Sequence, residues 1–306
     1  MSSIAPSGLT GRRGIGSANG TLGELVQGQT VAGEDFLVTF PIELWSEVSV
    51  VLTGSGTVDA APNKPKSKRM VELALARLGL PEVGAILDVD CHLPEGRGLA
   101  SSTADVVAAA RAVSDATGLH LEPGEIAELA IQIEPSDGVM WDGAVAFNHR
   151  AGRLLRLLGP LPDMRILGID LGGEIDTVTF NQRPKDYTAE ERQRCQAALD
   201  AVAEAIASVD VRGIGAACTT SAEIHQRILP KPELPVLLEI CAESGGMGVN
   251  VAHSGTVVGL IFEPTNERGV AFARELVARR LPNARPFEVL PLRSPAARHV
   301  SAHARS

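Results

Sequence analysis

PEGRGLASSTA, residues 94–104, lies between two runs of different periodicity, and that setting decides how the chain is read. Before it, AILDVDCHL (Ala85 to Leu93) alternates apolar and polar residues at a period of two, which predicts a strand ending at Pro94. After it, ADVVAAARAVSDAT (Ala104 to Thr117) repeats Ala and Val at helical spacing and stops at Gly118, which predicts a helix. In such a strand, glycine loop and helix unit, Gly96 and Gly98 let the backbone approach a ligand closely. Ser101, Ser102 and Thr103 then bring hydroxyls to where the helix's first unpaired N–H groups and the positive end of its dipole point. That is a phosphate cradle by construction. It is not a Walker loop, because no Gly-Lys-Ser/Thr occurs in the chain, and it lacks the dinucleotide Gly-x-Gly-x-x-Gly spacing. A Ser/Thr N-cap after a flexible turn is the plainer alternative for the same letters.

Working outward, the first sixteen residues are rich in Gly, Ser and Arg and read as a loose arm, with structure expected from Ser17. Phe36 to Phe40 and Glu47 to Leu52 predict two strands separated at Pro41 by a turn or bend. A Pro-rich loop, APNKPKSKR, follows with Lys64, Lys66 and Lys68; these lysines edge a nucleotide pocket or, as charge runs often are, are simply solvated. A helix over Met70 to Leu80 comes next. Beyond the glycine loop and its helix, the pattern predicts a helix over Glu122 to Ile133 running into EPSDG, then strands over Val139 to Asn148 and Leu154 to Leu158 around the turn HRAGR.

GPLPD, residues 159–163, is the candidate domain boundary, giving an arm (1–16), a first domain (17–160), a second (161–296) and a tail (297–306). In the second domain, strand (Arg165 to Asp170), helices (Ala189 to Ser208, Ile214 to Ile228, Leu234 to Glu243), strands (Gly248 to Ala252, Thr256 to Phe262), helix (Glu267 to Arg280) and strand (Phe287 to Leu292) reduce to β-α-β-β-α-β. That order predicts a ferredoxin-like sandwich in an α+β protein.

The 306 residues, 44% of them hydrophobic, exclude disorder for the bulk of the chain and favour two medium domains. With 3% aromatics and a formal charge of -9, the chain has neither the stacking surface nor the cationic surface of a nucleic-acid binder. Cys91, Cys195, Cys218 and Cys241 form no C-x-x-C pair and read as small buried hydrophobes. No apolar h-region follows the N-terminal arginines and no apolar run is long enough to span a bilayer. The expectation is a cytoplasmic protein with no nucleic-acid or membrane partner, with a homodimer left open.

PEGRGLASSTAD resembles the ATP-binding segment of the GHMP kinases, whose pattern is Pro-x-x-x-Gly-Leu-Gly/Ala-Ser-Ser-Ala/Thr-Ala. Within that family GELVQG, LASSTAD, EPSDGVM and NVAHSGTVVGLIF are most similar to the L-threonine kinases of cobalamin biosynthesis, a likeness distributed from Gly23 to Phe262. The resemblance implies a two-domain fold, a ribosomal protein S5 domain 2-like N-terminal ATP-binding domain and a ferredoxin-like C-terminal domain, with ATP and Mg2+ as cofactors. It implies transfer of phosphate to the side-chain hydroxyl of L-threonine. The alternatives are another small hydroxylated amino acid or amine as acceptor, and a non-catalytic nucleotide-binding relative.

Carried onto this sequence, the resemblance assigns Pro94, Glu95, Gly96, Arg97, Gly98, Leu99, Ala100, Ser101, Ser102, Thr103 and Ala104 to the nucleotide. It assigns Ser102 and Glu134 to the metal, with Glu128 as a substitute for Glu134, and Asp137 to the proton of the acceptor hydroxyl. As residues alone, E-P-S-D-G equally ends a helix and turns. NGTLGELVQG matches the family's opening motif. It shows Asn19, Gly20, Thr21 and Leu22 where those kinases carry Lys or a Pro-Ala-Ser-Cys-like run, which bears on the acceptor rather than on kinase chemistry. Glu24 there suits an amino acid's ammonium group, or is a surface glutamate after a Gly turn. SGGMGVNVAHSGTVVGLIF resembles the third motif, with Gly245, Gly246 and Gly248 expected to approach the first domain and the substrate, and His253 expected either to contact substrate or, more plainly, to cap a hairpin turn.

Overall fold

The computed structural model describes residues 8–173 and 185–292; the expected tail (297–306) and the first seven residues of the expected arm lie outside them. The first half runs β1 (Arg13–Gln29), β2 (Asp35–Thr53), β3 (Val58–Asp59), α1 (Pro65–Arg77), β4 (Gly84–Cys91), α2 (Ser101–Thr117), α3 (Pro123–Ala130), β5 (Ala144–Asn148) and β6 (Arg153–Gly159). The second half runs β7 (Arg165–Asp170), α4 (Ala189–Ala207), α5 (Val211–His225), α6 (Leu234–Glu243), β8 (Gly248–Val251), β9 (Val257–Phe262), α7 (Glu267–Arg280) and β10 (Arg285–Val289).

All ten strands join one sheet in the order β10-β7-β9-β8-β1-β2-β4-β3, with β5 on β2 and β6 on β5. The last four strands pair antiparallel in the order fourth, first, third, second, which is the ferredoxin-like plan that β-α-β-β-α-β predicts. The two halves of the sheet meet where Glu24 of β1 pairs with Val251 of β8. A large apolar cluster includes Leu25, Phe36, Phe40, Val107 and Phe147, and a smaller one includes Leu167, Leu237, Leu260, Phe262 and Val277. Among the described residues no helix is long and apolar enough to cross a membrane.

The core is built by close backbone approach, which is why so few rings suffice. A Cβ on Gly14 or Gly16 of β1 would collide with the α2 backbone at Ala108, Ala112 and Ala116, so an alanine-rich helix lies directly on a glycine-bearing strand. Gly118, at φ 72°, caps α2 in the left-handed region, as expected.

Several elements differ from the sequence expectation. Order begins before Ser17: Leu9 is fully buried and β1 starts at Arg13, pairing with Val51. β1 itself runs 17 residues through a stretch whose glycines hide any alternation. Phe36 to Leu52 is one strand rather than two, because Pro41 faces Thr21, where β1 shifts register and the ladder does not need an N–H. α1 begins at Pro65, which needs no donor at a helix start, so Lys66 and Lys68 are helical. α2 begins at Ser101, three residues early; α3 ends at Ala130, and β5 does not begin until Ala144.

Candidate active site

The loop after β4 reaches the cleft because three glycine contacts clamp it. Gly96 and Gly98 take φ of +71° and +90°, and a Cβ on Gly98 would lie 2.5 Å from the Cβ of Ala252. A Cβ on Gly255 would strike Arg97 and Gly98, and one on Gly23 would strike Ala252. Gly23 N donates to Gly98 O (3.0 Å), Thr21 N to Leu99 O (3.1 Å), and Thr256 N and Val257 N both to Arg97 O (3.0 and 3.1 Å). Loop 96–99 is thus stitched to β1 on one side and to the β8–β9 hairpin on the other. The glycines expected to make this approach, Gly245, Gly246 and Gly248, do not: Gly248 packs on Gly215 of α5, and Gly246 on Cys241 and Ile261. Ala252 to Gly255 make it instead.

α2 starts from Ala100, held at φ 55° with no side-chain cap, so the Ser/Thr N-cap alternative is not what forms. Ser101, Ser102 and Thr103 make up the first turn and line a cleft of about 350 Å3. Glu95, Gly96, Gly98, Leu99 and Ala100 also line it. Three expected nucleotide residues do not. Pro94 is exposed, Ala104 is buried in the core, and the Arg97 guanidinium turns to Asp170 (3.5 Å) and Gly173 O (2.8 Å).

At one end of this cleft, charges are already paired. Ser102 Oγ donates to Glu134 Oε1, and the Lys66 ammonium donates to Glu134 Oε2 (2.6 Å) and Ser102 Oγ (3.3 Å). Glu128 instead lies on the exposed face of α3 with Arg77 (3.0 Å), so Glu134 is the carboxylate beside Ser102. Lys64 bridges Glu95 (2.8 Å) and Asp105 (2.9 Å), and Asp105 accepts Ser46 Oγ (2.5 Å). Asp137 sits deeper, accepting Thr103 Oγ1 at 3.4 Å. Burial first, then the Glu134 charge, pushes its carboxyl up to about 6.

The other end is buried and collected from distant segments. Glu24, 6% exposed, accepts the His253 N–H at Oε2 (2.5 Å). Burial and the Asp137 charge hold its carboxyl well above the usual range. His253 does more than cap a turn. Its Nε2 meets the Lys185 ammonium, which can only donate, so Nδ1 carries the ring proton and donates to Gln27 Oε1 (2.6 Å). His225 Nε2 donates to His253 O (3.0 Å), and Lys231 Nζ holds Gly255 O (2.8 Å). His149, 3% exposed, completes the wall edge-on to His253. Burial draws the lysines down to about 8 and His149 to about 3. Sequence reading missed Gln27, His149, Lys185, His225 and Lys231. No local spacing links them: the pairing of β1 with β8 sets Gln27 beside His253, the pairing of β5 with β2 places His149, and His225 and Lys231 reach the hairpin through side-chain hydrogen bonds.

Residues 66–147 match the N-terminal domain of the GHMP kinases. The L-threonine kinase of Citrobacter freundii is 31% identical over 262 residues, covering 84% of this chain and 89% of that protein. The L-threonine kinase of Salmonella typhimurium (strain LT2) is 32% identical over 249 residues, covering 79% and 80%. In fold, the chain is similar to the crystal structure of homoserine kinase from Cytophaga hutchinsonii, with a TM-score of 0.72 and 15% identity over 96% of this chain and 97% of that one.

Proposed function

Because this chain belongs to the GHMP kinase family, we propose that it transfers the γ-phosphoryl group of ATP to the side-chain hydroxyl of L-threonine, giving O-phospho-L-threonine for cobalamin biosynthesis. That it is an ATP-dependent small-molecule kinase follows from the family. The observation that carries the proposal is the meeting, in one cleft, of the Ser102–Glu134 pair, Asp137 and the buried Glu24. The L-threonine kinase relatives support the choice of acceptor.

Loop 95–103 would hold the triphosphate, its backbone amides and the α2 N-terminus facing the negative charge. The residues present fit Mg2+. Ser102 Oγ and Glu134 are hard oxygen donors in contact, and they already gather one cation, the Lys66 ammonium. Among the described residues no three His, Cys, Asp or Glu side chains form a metal cage, so nucleotide phosphates and water would complete the shell. The ion would neutralise phosphate charge. Asp137 takes the proton of the threonine hydroxyl as its oxygen bonds to the γ-phosphorus. The bond from that phosphorus to the bridging oxygen breaks, and ADP leaves. Glu24 meets the threonine ammonium, a cation that would hold this buried carboxyl ionised.

A second reading keeps the chemistry and changes the acceptor to another small hydroxylated amino acid or amine, favoured by Asn19 to Leu22 in the opening motif. Incubation with ATP and Mg2+ across L-threonine, L-serine, L-homoserine and 1-amino-2-propanol, with mass detection of the product, separates the two. L-Threonine is expected to give the highest kcat/KM, and a higher value for any other member overturns the threonine reading.

A further inference from the structure

His149 follows β5 at the start of a tight turn fixed from both sides. Asn148 Oδ1 accepts Arg150 N (3.2 Å) and Ala151 N (3.0 Å), and His149 O accepts Ser136 N (3.2 Å), next to Asp137. Its ring is held against the cleft, 3% exposed, with neither Nδ1 nor Nε2 hydrogen-bonded to any group among the described residues. Buried ring nitrogens without partners are costly, and natural proteins leave few. Neighbouring His253, by contrast, has both nitrogens engaged, by Gln27 and Lys185.

The surrounding charge says what the missing partner is. The Lys185 ammonium sits on His253 Nε2, and burial first, then the charges of Lys185 and Arg150, keep both rings neutral. A neutral imidazole has one N–H to give. Across the same cleft the charge reverses at the Glu24 carboxylate. A ligand that answers both sides is a zwitterion.

We propose that His149 is the specificity residue for the acceptor's α-carboxylate, donating a ring N–H to it with Lys185 supplying the opposite charge, so that the enzyme selects α-amino acids over the corresponding amino alcohols. This rests on the kinase reading and on Glu24 facing the acceptor ammonium. An amino alcohol would leave the ring unpartnered. Sites built around a buried hydrogen-bonding group reject ligands lacking its partner strongly, by up to about 10⁴–10⁵-fold.

The test measures kcat/KM, at saturating ATP and Mg2+, for three pairs that differ by the carboxylate: L-threonine and 1-amino-2-propanol of matching configuration, L-serine and ethanolamine, L-homoserine and 3-amino-1-propanol. Wild type is expected to favour the acid of its best pair by about 100-fold or more. His149→Phe fills the same space without nitrogens and should bring that ratio to within about tenfold of unity, while His149→Gln, which keeps a donor, should restore part of it. Calorimetric binding of the same pairs reads the ratio where a variant does not turn over. A wild-type ratio near one, or a ratio unmoved in His149→Phe, overturns the proposal. So does an equal loss on both members of a pair, which would mean the ring serves the transferred phosphoryl group or the fold. If serine or homoserine outperforms threonine and the ratio still depends on His149, the threonine reading fails and this inference stands.

Discussion

The two ends of the cleft handle charge in opposite ways. At the α2 end every charge already has a partner: Lys66 on Glu134, Lys64 on Asp105 and Glu95. At the other end the groups are buried and shifted from their ordinary protonation, with Glu24 held up, Lys185 and Lys231 drawn down to about 8, and the His149 ring without a hydrogen bond among the described residues. A site for a polyanion that arrives with its own cation can rest in a neutralised state. A site for a small zwitterion holds buried groups whose protonation the ligand's own two charges can shift. Asp137 stands between the two ends, coupled to Glu134 on one side and to Glu24 on the other.

The largest effect is therefore expected at that junction. Asp137→Asn keeps the shape, so the variant should bind ATP and acceptor but lose about 10²–10⁴-fold in kcat, the range of general-base assistance, with little change in KM. A loose phosphoryl-transfer transition state asks little of its nucleophile, so turnover within about threefold of wild type would remove Asp137 from the catalytic role and leave positioning alone to explain the rate.

The second effect isolates the paired end. Ser102 makes no helix cap, so Ser102→Ala should cost little stability, less than the roughly 1 kcal/mol of a true N-cap. It should weaken Mg-ATP use by about ten- to a hundredfold, as changes around a metal do, read as a raised Mg2+ requirement at fixed acceptor. An early-melting variant with full turnover would reverse that reading.

Glu24→Gln tests the buried end. The amide oxygen can still accept the His253 N–H, so the fold contact survives while the charge goes. KM for threonine should rise roughly tenfold, the lower range for a hydrogen bond to a charged group, and KM for ATP should hold. Equal losses for both substrates would mean that the two ends are not separable.

The same contrast explains what was legible in the sequence. The α2 end is local: loop 94–104 and EPSDG each bring their functional groups within a few residues, so glycine placement points to Ser102, while the family resemblance, rather than spacing, points to Glu134 and Asp137, and all three line the cleft. The sequence left Lys66 open between edging the nucleotide pocket and being solvated; it lines the cleft, and in a helix that starts at Pro65 it reaches Glu134. The far end draws on Gln27, His149, Lys185, His225 and His253, spread over more than two hundred positions, and no periodicity marks such a set. In the fold, β7 and α7 follow their patterns to the residue, since β7 is a short apolar run bounded by Arg165 and Asp170 and α7 repeats its apolar residues at helical spacing. β1 does not, because glycines at 14, 16, 20, 23 and 28, needed for close approach to α2, the loop, the hairpin and Cys195 of α4, erase the alternation that would announce a strand.

The smallest effect is one of stability, and its sign follows from the buried carboxyl between the two ends. Without ligands, Asp137 has a folded pKa raised to about 6, by burial first and then by Glu134, against 3.8 for an ordinary aspartate. A raised folded pKa means that the ionised form is disfavoured in the native state. Its contribution to stability is fully present below the unfolded pKa and is lost as pH rises through about 6. Asp137→Asn, which cannot ionise, should therefore melt higher than wild type at pH 8, by roughly 2–4 °C for each kcal/mol relieved, and the gain should shrink steadily on going to pH 5. The variant that loses most activity would thus be the more stable protein, as expected where a carboxylate is kept ionised for its chemistry at the expense of the fold. Melting curves of both proteins across that range, without nucleotide or Mg2+, provide the check. A gain that does not depend on pH would show that Asp137 is ordinary in the free protein, and that the charge strain of this cleft is confined to the Glu24 end.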